Sequence, residues 1–180
     1  MYVSPIRMNI ILFRHGPAGA RNASRWPDDA ERPLTPRGER RTRLAALGLR
    51  RMEGTIDRVL TSPLKRADRT ARILGRVLGI EEVETLDALA PGGSTRKIIE
   101  TLNGPPRADT VVLVGHEPDL GTLAGLLVFN SGAASLPLKK AGACRIAFES
   151  SVRPGAGALE WLSPPGMLSR VTRKKKKGAV

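Results

Sequence analysis

The sequence predicts a single α/β domain, with a mostly parallel central sheet and helices on both faces. Three observations predict it. Short apolar runs alternate with helical stretches along the chain, the order that inserts crossover helices between parallel strands. The clearest runs, Met8 to Phe13 and Thr110 to Val114, are continuously apolar, which marks strands buried on both faces. Both runs lead into reactive residues, Arg14-His15-Gly16 and Gly115-His116-Glu117, and open α/β sheets gather function where strands end.

The elements follow in order. Met8 to Phe13 is the first strand. Ala18 to Pro33 lacks periodicity and reads as a surface loop. Thr35 is an N-cap, with Pro36 at the first helical position and Glu39 in the first turn of a helix reaching about Met52. Arg58 to Leu60 is a short strand ahead of Thr61-Ser62-Pro63, and Leu64 to Leu78 is a helix stopped by Gly79. Glu82 to Thr85 is a weak strand. Ser94 to Leu102 is a helix before the Asn103-Gly104-Pro105-Pro106 turn. After the buried Thr110 to Val114 strand, Asp119 to Phe129 is a helix, with Asp119 read as its cap. Strands at about Ala143 to Phe148 and Ala158 to Trp161 close the fold. No internal repeat or second domain is evident. The domain is expected over residues 1–169, with a basic, flexible tail over residues 170–180.

Composition narrows the classes. The 180 residues suffice for one sizeable core, 41% being hydrophobic, and aromatics at 3% leave that core to Leu, Val, Ile and Ala. No apolar run reaches the roughly 18 residues of a membrane helix, and Met1 to Asn9 does not read as a signal peptide. Cys144 is the single cysteine, so no internal disulfide is expected and a reducing cytoplasm suits the chain. It reads as a packed strand residue. Net charge is +13, but Arg170, Arg173 and Lys174 to Lys177 supply six of those charges. Arg37, Arg40, Arg41, Arg43, Arg50 and Arg51 fall on one helix, the pattern of a solvated face. With few aromatics to stack on bases, nucleic acid is disfavoured as the main partner. A compact chain of this kind is expected to be a monomer.

The chemistry-bearing residues are few. There are two histidines, His15 and His116, each following a buried strand with a glycine beside it. Neither has metal-ligand spacing, and Arg14 next to His15 disfavours a cation, so no metal is expected. Arginine beside histidine suits an oxyanion, because a guanidinium fork matches phosphate oxygens.

Four segments in order carry a resemblance. Leu12-Phe13-Arg14-His15-Gly16, the Arg32-Pro33-Leu34-Thr35 stretch through Gly38, Ser62-Pro63-Leu64-Lys65-Arg66-Ala67 through Thr70-Ala71, and Gly115-His116-Glu117-Pro118 resemble the motifs of the histidine phosphatase, or phosphoglycerate-mutase-like, superfamily. They cover roughly residues 10 to 125. The short chain, the His116-Glu117-Pro118-Asp119-Leu120 wording and the closing Leu159 to Pro165 are most similar to the compact SixA-type phosphohistidine phosphatases. The resemblance implies a phosphoglycerate-mutase-like fold and a metal-independent, cofactor-free phosphatase. It implies His15 as nucleophile through a phosphohistidine, with Arg14, Arg66 and His116 holding the phosphoryl oxygens. Gly16, Arg32 and Ser62 are assigned to substrate binding. Gly16 is a backbone requirement, Arg32 a further phosphate contact or a surface loop arginine, and Ser62 a support for the loop ahead of Arg66. Trp26 and Trp161 read as packing groups.

Two departures bear on substrate. Pro17 follows Gly16 where many relatives carry an acidic residue, and Leu86 to Ser94 offers only Asp87 as a carboxylate. A weak general acid favours a phosphoramidate, whose imidazole leaves readily, over an alkyl phosphate ester or mutase chemistry. The expected partner is a phosphohistidine-bearing protein. The alternatives are a general small-molecule phosphomonoesterase and a non-catalytic phosphate- or polyanion-binding module anchored by the basic tail.

Overall fold

A computed structural model describes residues 7–172. Six strands form one sheet in the order β3-β2-β4-β1-β5-β6. They are β1 (Met8–Arg14), β2 (Arg58–Thr61), β3 (Glu84–Thr85), β4 (Thr110–Gly115), β5 (Ala143–Phe148) and β6 (Ala158–Ser163). The first four strands of the chain pair in parallel, whereas β5 runs antiparallel to β1 and β6 antiparallel to β5. The sheet is therefore mostly parallel, with one antiparallel flank.

The continuous apolar runs have a direct cause. Along β1, Ile10 and Leu12 enter one core and Ile11 and Phe13 the other, on opposite faces of the same strand. Along β4, Val111 and Leu113 face one side, and Val112 and Val114 the other. Helices α3 (Thr95–Asn103) and α4 (Asp119–Phe129) cover the first face through Ile98, Leu102, Leu123 and Leu127. Helices α1 (Pro36–Met52), α2 (Lys65–Leu78) and α5 (Pro165–Val171) cover the second through Leu49, Leu74 and Leu168. Burying a leucine at these positions contributes roughly 1.5–3 kcal/mol each, so Leu and Val carry a core poor in aromatics.

Local signals match the elements they start. The Thr35 hydroxyl accepts from Gly38 N at 2.9 Å, and Pro36 needs no partner for a missing N–H. Gly79 ends α2 in a left-handed conformation, φ 80°. α4 begins differently. Its cap position is Pro118, and the Asp119 carboxylate accepts from Gly92 N at 3.2 Å instead of capping its own helix. That corrects the reading of Asp119 and ties α4 to the loop after β3.

Two expectations need amendment. The Ala18 to Pro33 segment is not only a surface loop: Ala18 bridges Leu34, a 3-10 turn forms at Asp29–Glu31, and Arg32 is 6% exposed. α5 was not foreseen, and it claims Arg170 and Val171 from the expected tail. It packs on α1 at Gly48, where a Cβ would collide with the Leu168 carbonyl. Residues 173–180, the rest of that basic tail, lie outside the described residues.

Candidate active site

Topology brings the two histidines together. β1 and β4 are parallel neighbours in which Arg14 is paired with Gly115, so the next residues of each chain segment emerge side by side. His15 N donates to the Gly115 carbonyl at 3.0 Å, and the imidazoles of His15 and His116 stand 5.0 Å apart between centroids. β2 ends alongside, with Ser62 N donating to the Val114 carbonyl at 3.0 Å. α2 starts three residues later and brings Arg66 in on its first turn. Arg14, His15, Arg32, Arg66 and His116 line one cleft of about 530 Å³ at the carboxyl ends of the parallel strands.

Gly16 and Ser62 stand behind this cleft and fix the rings. His15 Nδ1 lies 2.7 Å from the Gly16 carbonyl, which only accepts, so Nδ1 carries the proton and Nε2 keeps its lone pair. Gly16 N donates to Thr70 Oγ1 at 3.0 Å, and Thr70 donates to the Arg66 carbonyl one turn back at 2.7 Å. A Cβ on Gly16 would collide with Thr42 Oγ1, so this position needs glycine for space. Both polar backbone groups of Gly16 are thus bonded within the protein, the carbonyl to the His15 ring. Ser62 Oγ accepts from Leu64 N at 3.3 Å and lies 2.8 Å from His116 Nε2. When the Ser62 hydroxyl donates to that nitrogen, the His116 proton sits on Nδ1.

The guanidiniums are held by backbone carbonyls. Arg14 Nη1 donates to the Leu138 carbonyl at 2.8 Å, and Arg66 Nη1 to the Asp29 carbonyl at 2.7 Å. The Asp29 carboxylate reaches both Arg66 Nη2, at 3.1 Å, and Arg32 Nε, at 2.7 Å. Arg32 Nη1 also donates to the Gly19 carbonyl at 2.8 Å. The Arg32 side chain held by Asp29 pulls that carboxyl below its ordinary range.

Three buried nitrogens in this cleft have no hydrogen-bond partner: Arg14 Nε, Arg66 Nε and His116 Nδ1. An unmet buried donor costs roughly 1–3 kcal/mol, so three together require an explanation. A tetrahedral oxyanion supplies acceptors to all three. Burial pushes His15 down to about 3, offset by its bond to the Gly16 carbonyl and reinforced by His116, Arg66 and Arg14. Burial, with Arg66 next, pushes His116 down to about 4. Both imidazoles are neutral at pH 7, as a nitrogen nucleophile and its neighbouring donor require.

Several functional neighbours were not read from the sequence. Asp29 acts across 37 residues on Arg66 with no local signal. Thr70 sits four residues after Arg66, one helical turn, and that spacing could have revealed it. Glu117 lines the cleft, and Leu138 N donates to its Oε1 at 3.1 Å, which ties it to the residue that holds Arg14. Burial raises the Glu117 carboxyl above its ordinary value. Asp87 is exposed and lies outside the cleft lining. Trp161 packs as expected, donating to Glu53 Oε1 at 3.2 Å. Trp26 lies in a side pocket under Arg25 and not in the cleft. Cys144 is buried in β5. Among the described residues no group of three metal-ligating side chains occurs, and no helix is long and apolar enough to cross a membrane.

Comparison with known proteins agrees with this geometry. Residues 10–91 match the model of the histidine phosphatase superfamily, branch 1. A protein of uncharacterized function from Picosynechococcus is 40% identical over 138 residues, covering 75% of this chain and 82% of its own. The phosphohistidine phosphatase SixA of Escherichia coli is 33% identical over 124 residues, 67% of this chain and 74% of that protein. A solved structure of the protein histidine phosphatase SixA complexed with tungstate superposes with a TM-score of 0.78 at 27% identity, covering 89% of this chain and 99% of that one. The chain belongs to the histidine phosphatase superfamily, and so to the phosphatases among the hydrolases. Within that superfamily it is of the SixA type.

Proposed function

We propose that the protein dephosphorylates phosphohistidine on a protein substrate, without a metal, through a covalent intermediate on His15. The carrying observation is the convergence of His15 with three buried nitrogens that have no partner, Arg14 Nε, Arg66 Nε and His116 Nδ1, in one cleft. His15 Nε2 attacks phosphorus, the bond to the leaving imidazole breaks, and that imidazole, already protonated on its other nitrogen, departs neutral with the bond's electron pair. Arg14, Arg66 and His116 hold the equatorial oxygens, where charge builds in the transition state. Water then attacks the phosphohistidine, releasing phosphate and restoring His15. Support for a phosphoramidate comes from the acid side: Pro17 occupies the position after Gly16, and Asp87 stands away from the cleft. The likeness to a tungstate-binding SixA supports the oxyanion reading.

One observation favours a second reading, a general phosphomonoesterase. Glu117 lines the cleft with a carboxyl raised by burial, and a protonated carboxyl there could serve an alkoxide leaving group. Its oxygen accepting from Leu138 N weighs against that role.

Labelling tests the reading. Wild-type protein given a ³²P-phosphohistidine peptide and quenched in base is expected to carry acid-labile label on His15. His15→Ala is expected to carry none and to lose turnover by more than about 10³-fold, as nucleophile removal does. Label on another residue, or full activity of His15→Ala, would overturn it. Activity preserved in excess EDTA is expected for a metal-independent reaction.

A further inference from the structure

The cleft holds more positive charge than its floor uses. Arg14, Arg66 and His116 present unmet donors at the bottom, and Arg32 and Arg66 are tied to Asp29. Lys140 also lines this cleft, from the segment between α4 and β5, outside all four sequence motifs. Its place is fixed by its neighbour: Ala141 N donates to the carbonyls of Arg14 and His15 at 3.1 and 3.2 Å. Lys140 therefore stems from the backbone that braces the nucleophile. Among the described residues no carboxylate lies within ion-pair distance of its ammonium. The two carboxylates of the cleft are engaged elsewhere, Glu117 by Leu138 N and Asp119 by Gly92 N.

We propose that Lys140 is a specificity residue that recognises a second negative charge on the substrate, beside the phosphoryl group. This rests on the phosphatase reading and narrows its substrate class. Lys140 is exposed at the mouth while the phosphoryl donors are buried, so it meets the group carrying the phosphate and not the phosphate alone. Desolvation of its partly covered stem, then the nearby Arg14, Arg32 and Arg66, disfavour its charge, and an incoming anion would offset that. A carboxylate flanking the phosphohistidine would pair with the Lys140 ammonium at the mouth. The same chemistry is offered by any small phosphate ester bearing a carboxylate.

Two matched substrate pairs test this on the full-length protein. One pair is a phosphohistidine peptide with glutamate or glutamine flanking the modified residue. The other is 4-carboxyphenyl phosphate and phenyl phosphate. The readout is the ratio of kcat/KM between acid-bearing and neutral members, which is independent of how much of a variant folds. Lys140→Gln is expected to lower that ratio about 3- to 5-fold, the range of a partly exposed ion pair, and Lys140→Glu to lower it further. The wild-type ratio is expected to shrink with added salt. A ratio unaltered by Lys140→Gln, whether both rates fall together or neither falls, overturns the proposal. A wild-type protein that hydrolyses the aryl phosphates but neither peptide defeats the phosphohistidine reading alone, and the aryl pair still decides the role of Lys140. A ratio lowered on the peptides only assigns the anion to a flanking protein carboxylate. A ratio lowered on both pairs assigns it to any carboxylate near the phosphate.

Discussion

The floor and the mouth of the cleft are built by different means. On the floor, His15 and His116 are 6% and 3% exposed, and their meeting follows from strand adjacency, because consecutive residues of two paired parallel strands must leave the sheet together. At the mouth, the 18–33 segment and the segment between α4 and β5 have almost no regular structure. There Asp29 grips Arg66 and Arg32, and Leu138 grips Arg14, through a few local hydrogen bonds. Backbone topology sets the floor, and individual hydrogen bonds set the mouth. Damage to the floor should therefore be severe and general, and damage to the mouth graded and substrate-dependent.

The largest contrast is expected from Arg66→Ala. It removes a preorganised donor to developing charge and should lower kcat by about 10²–10³-fold with the fold retained. Steady-state rates beside circular dichroism check this, and a loss under tenfold would demote the floor.

pH tests the floor through stability. Both histidines have folded-state values below the ordinary 6.5, so below that pH the unfolded chain binds protons that the folded chain does not. Stability then rises with pH between about 3 and 6.5 and is complete above it, a difference of up to about 3 kcal/mol per histidine by pH 4. Melting temperatures across that range should fall steeply with acid, and His15→Gln should flatten part of the slope. An equally steep profile in that variant would contradict the burial argument.

Effects at the mouth should be smaller. Asp29→Ala frees Arg66 and Arg32 from their carboxylate, so kcat should fall about tenfold, on the scale of lost supporting contacts. KM should not rise, since the cleft becomes more positive. A rise in KM would show that Asp29 shapes binding instead. Smallest is the Glu117 pair. Glu117→Ala should slow turnover a few-fold by releasing Leu138, and Glu117→Gln should restore it, since an amide oxygen also accepts from Leu138 N. If both variants are equally poor, and poorest on bad leaving groups, Glu117 is a proton donor and the monoesterase reading gains.

The same division decided what the sequence could reveal. β1 and β4 were legible because burial on both faces leaves unbroken apolar runs. The starts of α1 and α3 were legible because Thr35 and Ser94 bond to their own first turns. His15, His116, Arg14 and Arg66 were legible because each occupies a strand end or a first helical turn within a recognisable motif. α5 was not, since seven residues with Pro165 and Leu168 as its buried positions give no helical period. Asp29 and Lys140 were not, since each reaches the cleft from an irregular segment whose path depends on tertiary contacts. Arg32 fell between: its motif was visible, but its burial depended on Asp29.

The most direct test is a crystal structure of the protein with tungstate or phosphate bound. One oxyanion is predicted, within hydrogen-bond distance of His15 Nε2, His116 Nδ1 and the Nε atoms of Arg14 and Arg66. An anion that settles only on surface arginines, leaving those four groups untouched at saturating concentration, would contradict the account.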